Sequence, residues 1–242
     1  VSHMNDVDFD DFPFVVMVNA DVSSGNAGVD RVDPRASAEA LARSLPGYGG
    51  AIRLTQGRVL GPSSTPDAEV LLGLVFWAGS SAAERFTAEL GRRPVDGLVL
   101  DGGIYRFSAT VPASPDDATP ADLTSARFDL AHEIIRMTPV MGKQGWILEY
   151  NESETRDHIS TLDGFVSTSF FRDLRSDRIV EYVQWRSADH LTSAFGDARF
   201  AEHMSVNSHY SEGQAFLFSE RSTAAAPVDG PAHPAVAPHE GA

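Results

Sequence analysis

The stretch RIVEYVQWRSADHLTSAFGDARFAEHMSVNSHY, Arg178–Tyr210, decides how the rest of the chain is read. Its first residues alternate around Trp185 and are rich in Ile, Val and Tyr, which suits a pleated strand. Ser187 then stands as an N-cap, and Leu191, Ala194, Phe195 and Ala198 repeat at helical spacing. The pattern continues through Phe200, His203, Met204 and Asn207. Two polar side chains, His203 and Asn207, are therefore set into an apolar helical face. Apolar walls with a few convergent polar groups are what a ligand pocket needs.

Working outward, the same order of elements is legible twice. Phe14–Val22 reads as a strand interrupted by Asn19, and Asp33-Pro34 offers an N-cap followed by a first-turn proline. Ala38, Leu41, Ala42 and Leu45 make an apolar stripe that Pro46-Gly47 ends. Gly50–Gly61 and Ala68–Trp77 read as strands, the second apolar on both faces and so covered on both. Ser80 caps a helix through Leu90, and Gly97–Val111 supplies closing strands.

Residues 113–126 have the Pro, Ser, Thr and Asp content of a linker. After them the order restarts, with a strand at Phe128–Met137 and a helix at Gly145–Leu162. Strands follow at Gly164–Arg172 and Arg178–Trp185, a helix over Ala188–Asn207 and a last strand at Gln214–Glu220. Leu74–Trp77 with Ala83 and Phe86 parallels Tyr182–Trp185 with Ala194 and Phe195, and Gly47-Tyr48-Gly49 parallels Gly164-Phe165-Val166. The expectation is an α+β chain of two tandem ferredoxin-like (βαββαβ) units, 12–112 and 127–221, with a disordered tail at 222–242.

Composition narrows the function. The chain has 242 residues, no cysteine and a formal net charge of −15. Disulfides, thiolate metal sites and a cysteine nucleophile are excluded. The acidic balance argues against nucleic acid and against an acidic membrane surface. No signal-peptide core and no long apolar run stands out, so a soluble, cytoplasmic protein is expected. Val1–Met4 reads as a tag remnant. There is no G-x-G-x-x-G after a strand, no Walker A lysine loop and no G-x-S-x-G elbow. His132-Glu133 opens a zincin-like pattern, but Arg136 stands where the second histidine belongs, so no metal is expected.

The run Val183-Gln184-Trp185-Arg186, then Ala194-Phe195, then Phe200-Ala201-Glu202-His203 resembles the antibiotic biosynthesis monooxygenase superfamily. The resemblance covers about thirty residues of the chain. It implies ferredoxin-like units whose sheets pair into an α/β barrel, usually from two chains and here within one. A homodimer stays open as a further assembly.

For chemistry, the resemblance implies oxidation of a polycyclic aromatic polyketide, such as an anthrone or anthraquinol, by O2 without metal or bound cofactor. One alternative is a ring-cleaving oxygenase of the angucycline type that takes reduced FMN or FAD from a reductase. A non-catalytic ligand-binding protein of the same fold is the other. Anthrone-oxidising relatives hold the substrate carbonyl with a first-strand Asn and a third-strand Trp, which Asn19 and Trp77 match in the first half. Trp185 matches the Trp in the second half, where His132 lies near the Asn position.

Ground-state O2 is a triplet, so the task is to form and hold an electron-rich anion in a dry pocket. Ionising a phenol of pKa about 10 at neutral pH costs roughly 4 kcal/mol. The candidates are His132 or His203 as base, Asn19 or Asn207 as oxyanion donor, and Trp77 and Trp185 as stacking walls. Phe200, Met204, Trp146 and Tyr150 are expected to line the same chamber. Buried core packing is the plainer role for each aromatic, and a satisfied hydrogen bond the plainer role for each polar residue.

Overall fold

The computed structural model describes residues 11–20, 33–60, 70–113 and 130–225. In chain order the strands are β1 (Phe14–Ala20), β2 (Tyr48–Leu60), β3 (Val70–Trp77), β4 (Leu98–Leu100), β5 (Tyr105–Pro112), β6 (Ala131–Pro139), β7 (Phe165–Asp173), β8 (Ile179–Trp185) and β9 (Ser211–Ala225). The helices are α1 (Pro34–Arg43), α2 (Ser80–Arg92), α3 (Gln144–Asp157), α4 (Ala188–Ala194) and α5 (Ala198–Tyr210), with a 3-10 turn at Ile159–Thr161.

The strands form one antiparallel sheet in the order β3-β2-β9-β6-β8-β7-β5-β1-β4, and a further β3–β1 pairing closes eight of them into a barrel. Residues 14–112 contribute the run β5-β1-β3-β2, and residues 131–225 contribute β9-β6-β8-β7. The two runs meet at β2–β9 and at β5–β7. Closure leaves no long unpaired edge, which an open sheet of this length would have to protect.

Strand alternation then separates two environments. One face of each strand points into the barrel, where Met17, Phe76 and Leu74 pack with Ile134, Tyr182 and Phe218 from the other half of the chain. The other face meets the helices. Val16, Val75 and Trp77 pack beneath α1 and α2 against Ala38, Ala83 and Phe86. Ala131, Val183 and Trp185 pack with Leu191, Ala194 and Phe200 of α4 and α5.

The local signals act where the sequence places them. Asp33 caps α1 by accepting from the Arg35 amide, with Pro34 at the first position. Gly47 and Gly164, both with positive φ (86° and 78°), lead into β2 and β7. A side chain at either φ would be strained. Each glycine carbonyl then accepts from the residue after a third-strand Trp, Ala78 N at 2.9 Å and Arg186 N at 2.7 Å.

Several boundaries differ from expectation. The single helix over Ala188–Asn207 is two helices, because Asp197 starts a new one by accepting from the Arg199 and Phe200 amides. That restart leaves Phe195 half exposed while Phe200, His203 and Asn207 face inward. Ser80 is the first helical residue of α2 rather than its cap, which is Gly79. Residues 222–225, assigned to a tail, belong to β9 and pair with β2, Ala225 opposite Gly50. The expected linker, apart from Ala113, and residues 226–242 lie outside the described residues. Among the described residues no helix is long and apolar enough to cross a membrane.

Candidate active site

Between the second run of strands and helices α3 and α5 lies a cavity of about 280 Å³. Its floor comes from β6, β8 and β9, with Glu133, Glu181, Val183 and Trp185 pointing the same way. Thr155 of α3 and Phe200, His203 and Asn207 of α5 form the roof. Phe195 and Met204 line it as well, and both are partly exposed, which places them at the mouth.

Trp185 is held on edge between Phe165 (ring centroids 5.4 Å apart, planes at 83°) and Phe200 (6.3 Å, 87°). Edge-to-face contacts of this kind fix a ring's plane as well as its position. The indole donates from Nε1 to Glu133 Oε2 at 3.3 Å. Beside it, Asn151 of α3 donates to Glu181 Oε1 at 2.6 Å.

Among the described residues neither carboxyl forms an ion pair. Burial pushes Glu133 up to about 7, against the lowering effect of the Trp185 hydrogen bond. Burial also pushes Glu181 up to about 7; the Asn151 bond lowers it, and the charges of Glu133 and Glu152 raise it. Glu133 lies opposite Val183 and Glu181 opposite Ile135, so the two acids are diagonal neighbours on one face. In a sheet that puts them roughly 7–8 Å apart at Cα, close enough to influence each other's protonation. Two carboxyls half-ionised near neutral pH can accept a proton and return it.

His203 and Asn207 meet as the helical spacing requires. Asn207 Nδ2 donates to His203 Nε2 at 3.1 Å and to the His203 carbonyl at 3.2 Å. The carbonyl can only accept, so the amide nitrogen must face it, and Nε2 is then the acceptor nitrogen of a neutral ring. The ring proton sits on Nδ1, which has no partner among the described residues; neither has Asn207 Oδ1. Burial pushes the imidazole down to about 4, against the opposing pull of Glu154. At neutral pH His203 is therefore a hydrogen-bond donor, not a base.

The remaining sequence candidates fall outside this chamber. His132 is one residue from Glu133 and so points to the opposite, barrel-interior face, where its Nδ1 meets Tyr182 Oη at 2.9 Å. Trp77 and Asn19 belong to the first run of strands, Trp77 fully buried against Phe86 at 5.0 Å. Nor does His132 occupy the position equivalent to Asn19. Phe14 pairs with Trp77 and Ala131 with Trp185, so counting along the strands sets Arg136 against Asn19. Trp146 and Tyr150 stand outside the wall as a stack behind His203: Trp146 on Tyr150 (5.7 Å, 10°), Tyr150 on His203 (5.6 Å, 14°).

The acids were missed for a plain reason. A Glu in Glu181-Tyr182-Val183-Gln184-Trp185 reads as the polar position of an alternating strand, hence as solvated. Only the tertiary cover of α3 and α5 turns that face inward. Among the described residues no group of three or more His, Asp or Glu side chains could hold a metal ion.

No family model matches the sequence, and no curated protein matches it. Solved structures do match the fold. An anthrone oxidase-like protein superposes with a TM-score of 0.59 at 12% identity, over 93% of this chain and 98% of that one. A candidate monooxygenase from Fusobacterium nucleatum gives 0.57 at 8% identity, over 88% and 94%. Another from Lactobacillus acidophilus gives 0.52 at 7%, over 88% and 96%. The fold is shared with these proteins. At such identities the likeness extends to the path of the chain and not to the side chains in the cavity.

Proposed function

We propose that this chain is an oxygenase that oxidises a planar polycyclic aromatic of the anthrone or anthraquinol type with O2, without metal or resident cofactor. The observation that carries the reading is the pairing of two buried carboxyls, Glu133 and Glu181, with an aromatic-walled cavity. Antibiotic biosynthesis monooxygenases are the family the sequence motif resembles, and an anthrone oxidase-like protein is among the structures that share the fold. We read the strand order as two ferredoxin-like units fused so that one chain builds the barrel.

The chemistry follows from the groups present. A carboxylate of pKa near 7 removes a proton from the activated carbon or phenol of the substrate. His203 Nδ1–H donates to the oxygen on which negative charge collects. The anion gives one electron to O2, and the radical and superoxide recombine to form a carbon–oxygen bond. The protonated Glu133 or Glu181 returns its proton to the peroxide, giving a hydroperoxide. For an anthrone, loss of water leaves a carbonyl (CH2 plus O2 becomes C=O plus H2O); for an anthraquinol, loss of H2O2 leaves the quinone (hydroquinone plus O2 becomes quinone plus H2O2). Trp185 and Phe200 hold the ring system flat and exclude water, which keeps the anion reactive.

The test is to give chelator-treated, flavin-free protein a reduced anthraquinol or anthrone in air and to follow oxygen consumption. Uptake well above the protein-free rate is expected. Uptake that appears only with reduced FMN or FAD would replace this mechanism by the flavin-assisted one. No uptake with any electron-rich aromatic would make the chain a binding protein.

A further inference from the structure

The cavity's electrostatics constrain its ligand further. Besides Glu133 and Glu181, the lining offers Asn207 Oδ1 as an unpartnered acceptor, and His203 is uncharged at neutral pH. His203 and Asn207 are more than nine-tenths buried, at 6% and 7% exposure, and both line the chamber. The charges that act on these groups are acids: Glu152 on Glu181, Glu154 on His203, and Glu154 with Glu202 on Tyr150. Arg136, which donates to the Gln214 side chain at 3.4 Å, is paired with Asp101 and lies on the opposite face of β6 from Glu133. The strands β2, β7 and β9, and Phe195 just after α4, contribute only uncharged lining residues, among them Leu60, Thr168 and Gln214. Lys143 lies over the outer face of Trp146, outside the lining.

A negative field with aromatic walls and spare acceptors is complementary to a cation. We propose that the ligand of this cavity carries a protonated amine on its aromatic body, with the ammonium seated on Glu181, Glu133 left beside Trp185 as the base, and the rings against Trp185 and Phe200. The inference rests on the cavity being the substrate site, and it narrows the substrate to an amine-bearing aromatic. A ligand that arrives as an anion is rejected, because no lining cation compensates its charge, whereas an anion formed in the site is offset by the ligand's own ammonium.

Three probes of one ring system separate the possibilities: 2-naphthylmethylamine, 2-naphthylmethanol and 2-naphthoate, titrated against the whole chain by calorimetry in the absence of substrate. The amine should bind about tenfold or more tightly than the alcohol at pH 8, as a charge-assisted bond in a buried site would give. Its affinity should rise from pH 6 to pH 8 as the two carboxyls ionise, while the alcohol's stays flat. The naphthoate should not bind. In a Glu133→Gln, Glu181→Gln double variant the amine should fall to the level of the alcohol. Should that variant not fold, the pH dependence of the unaltered protein decides the matter.

An amine no tighter than the alcohol at any pH would overturn this inference and leave the cavity as a site for neutral aromatics. No binding by any probe would overturn it together with the site itself. Amine preference without oxygen uptake would uphold it while removing the oxygenase reading.

Discussion

Trp77 and Trp185 close the third strand of each half in the same local frame, yet the second indole lines a chamber while, among the described residues, the first is packed against Tyr48 and Phe86. Each pairs across to the aromatic that starts the preceding strand, Tyr48 or Phe165, and each of those aromatics follows a left-handed glycine, Gly47 or Gly164. Counting back from the two tryptophans sets Val16 against Glu133 and Gly73 against Glu181. In the first half the helix layer packs on apolar side chains, and a Cβ on Gly73 would come within 2.7 Å of Val18. Arg35 of α1 reaches the Leu54 and Leu72 carbonyls and pairs with Asp33. In the second half Asn151 of α3 meets a carboxylate instead, and space remains above it. One backbone plan thus yields a packed layer and a hollow one. The difference lies in a few side chains on a single sheet face.

The comparison breaks first at the acids. Glu133→Gln should lower oxygen uptake by about 100-fold or more, the usual effect of losing a positioned base. Asn19→Ala in the first half should leave uptake unchanged. An unaltered rate in Glu133→Gln with loss in Asn19→Ala would move the chemistry to the other half.

Next come the tryptophans. Trp77→Ala should cost about 3–5 kcal/mol of stability in chemical denaturation, as expected for deleting a fully buried indole. Trp77→Phe should cost much less, because the Trp77 N–H has no partner among the described residues. Trp185→Phe removes the donor to Glu133 and so raises that carboxyl further. The acidic limb of the rate–pH profile should move up by roughly one unit, the equivalent of one hydrogen bond. Trp77→Phe should not move it.

The smallest effect is on stability against pH. Glu133 and Glu181 rise from an ordinary 4.5 to about 7 on folding, so between those values the unfolded chain holds fewer protons. Their contribution falls as pH rises through that window and is flat above it. His203 falls from 6.5 to about 4, so its contribution is lost as pH drops below 6.5. The two oppose each other. In thermal melts Glu133→Gln should gain on the unaltered chain as pH rises from 4.5 to 7. A constant offset would mean that Glu133 is not perturbed by folding.

Much of the fold was legible because strand and helix periods are local properties. The alternation ending at Trp77 and Trp185, the Asp33-Pro34 and Ser187 caps, and the two glycines each act within a few residues. The break at Gly196-Asp197 was not legible, since Phe195 continued the apolar repeat and Asp197 looked like one solvated position. Within the site, His203 and Asn207 were readable as polar intrusions on an apolar face. Glu133 and Glu181 were not, because a carboxylate in an alternating strand is ordinarily wet, and its burial depends on helices remote in sequence. His132 illustrates the converse: one step along a strand reverses the face, so proximity to Glu133 in sequence takes it into the barrel interior.

The central claim is that the chamber against Trp185 is the ligand site, and a crystal structure with 2-naphthylmethanol tests it most directly. The account predicts the ring system against Trp185 and Phe200, with the hydroxyl on Glu133 or Glu181. A ligand lodged beneath α1 and α2 against Trp77, or beside His132 inside the barrel, would contradict it.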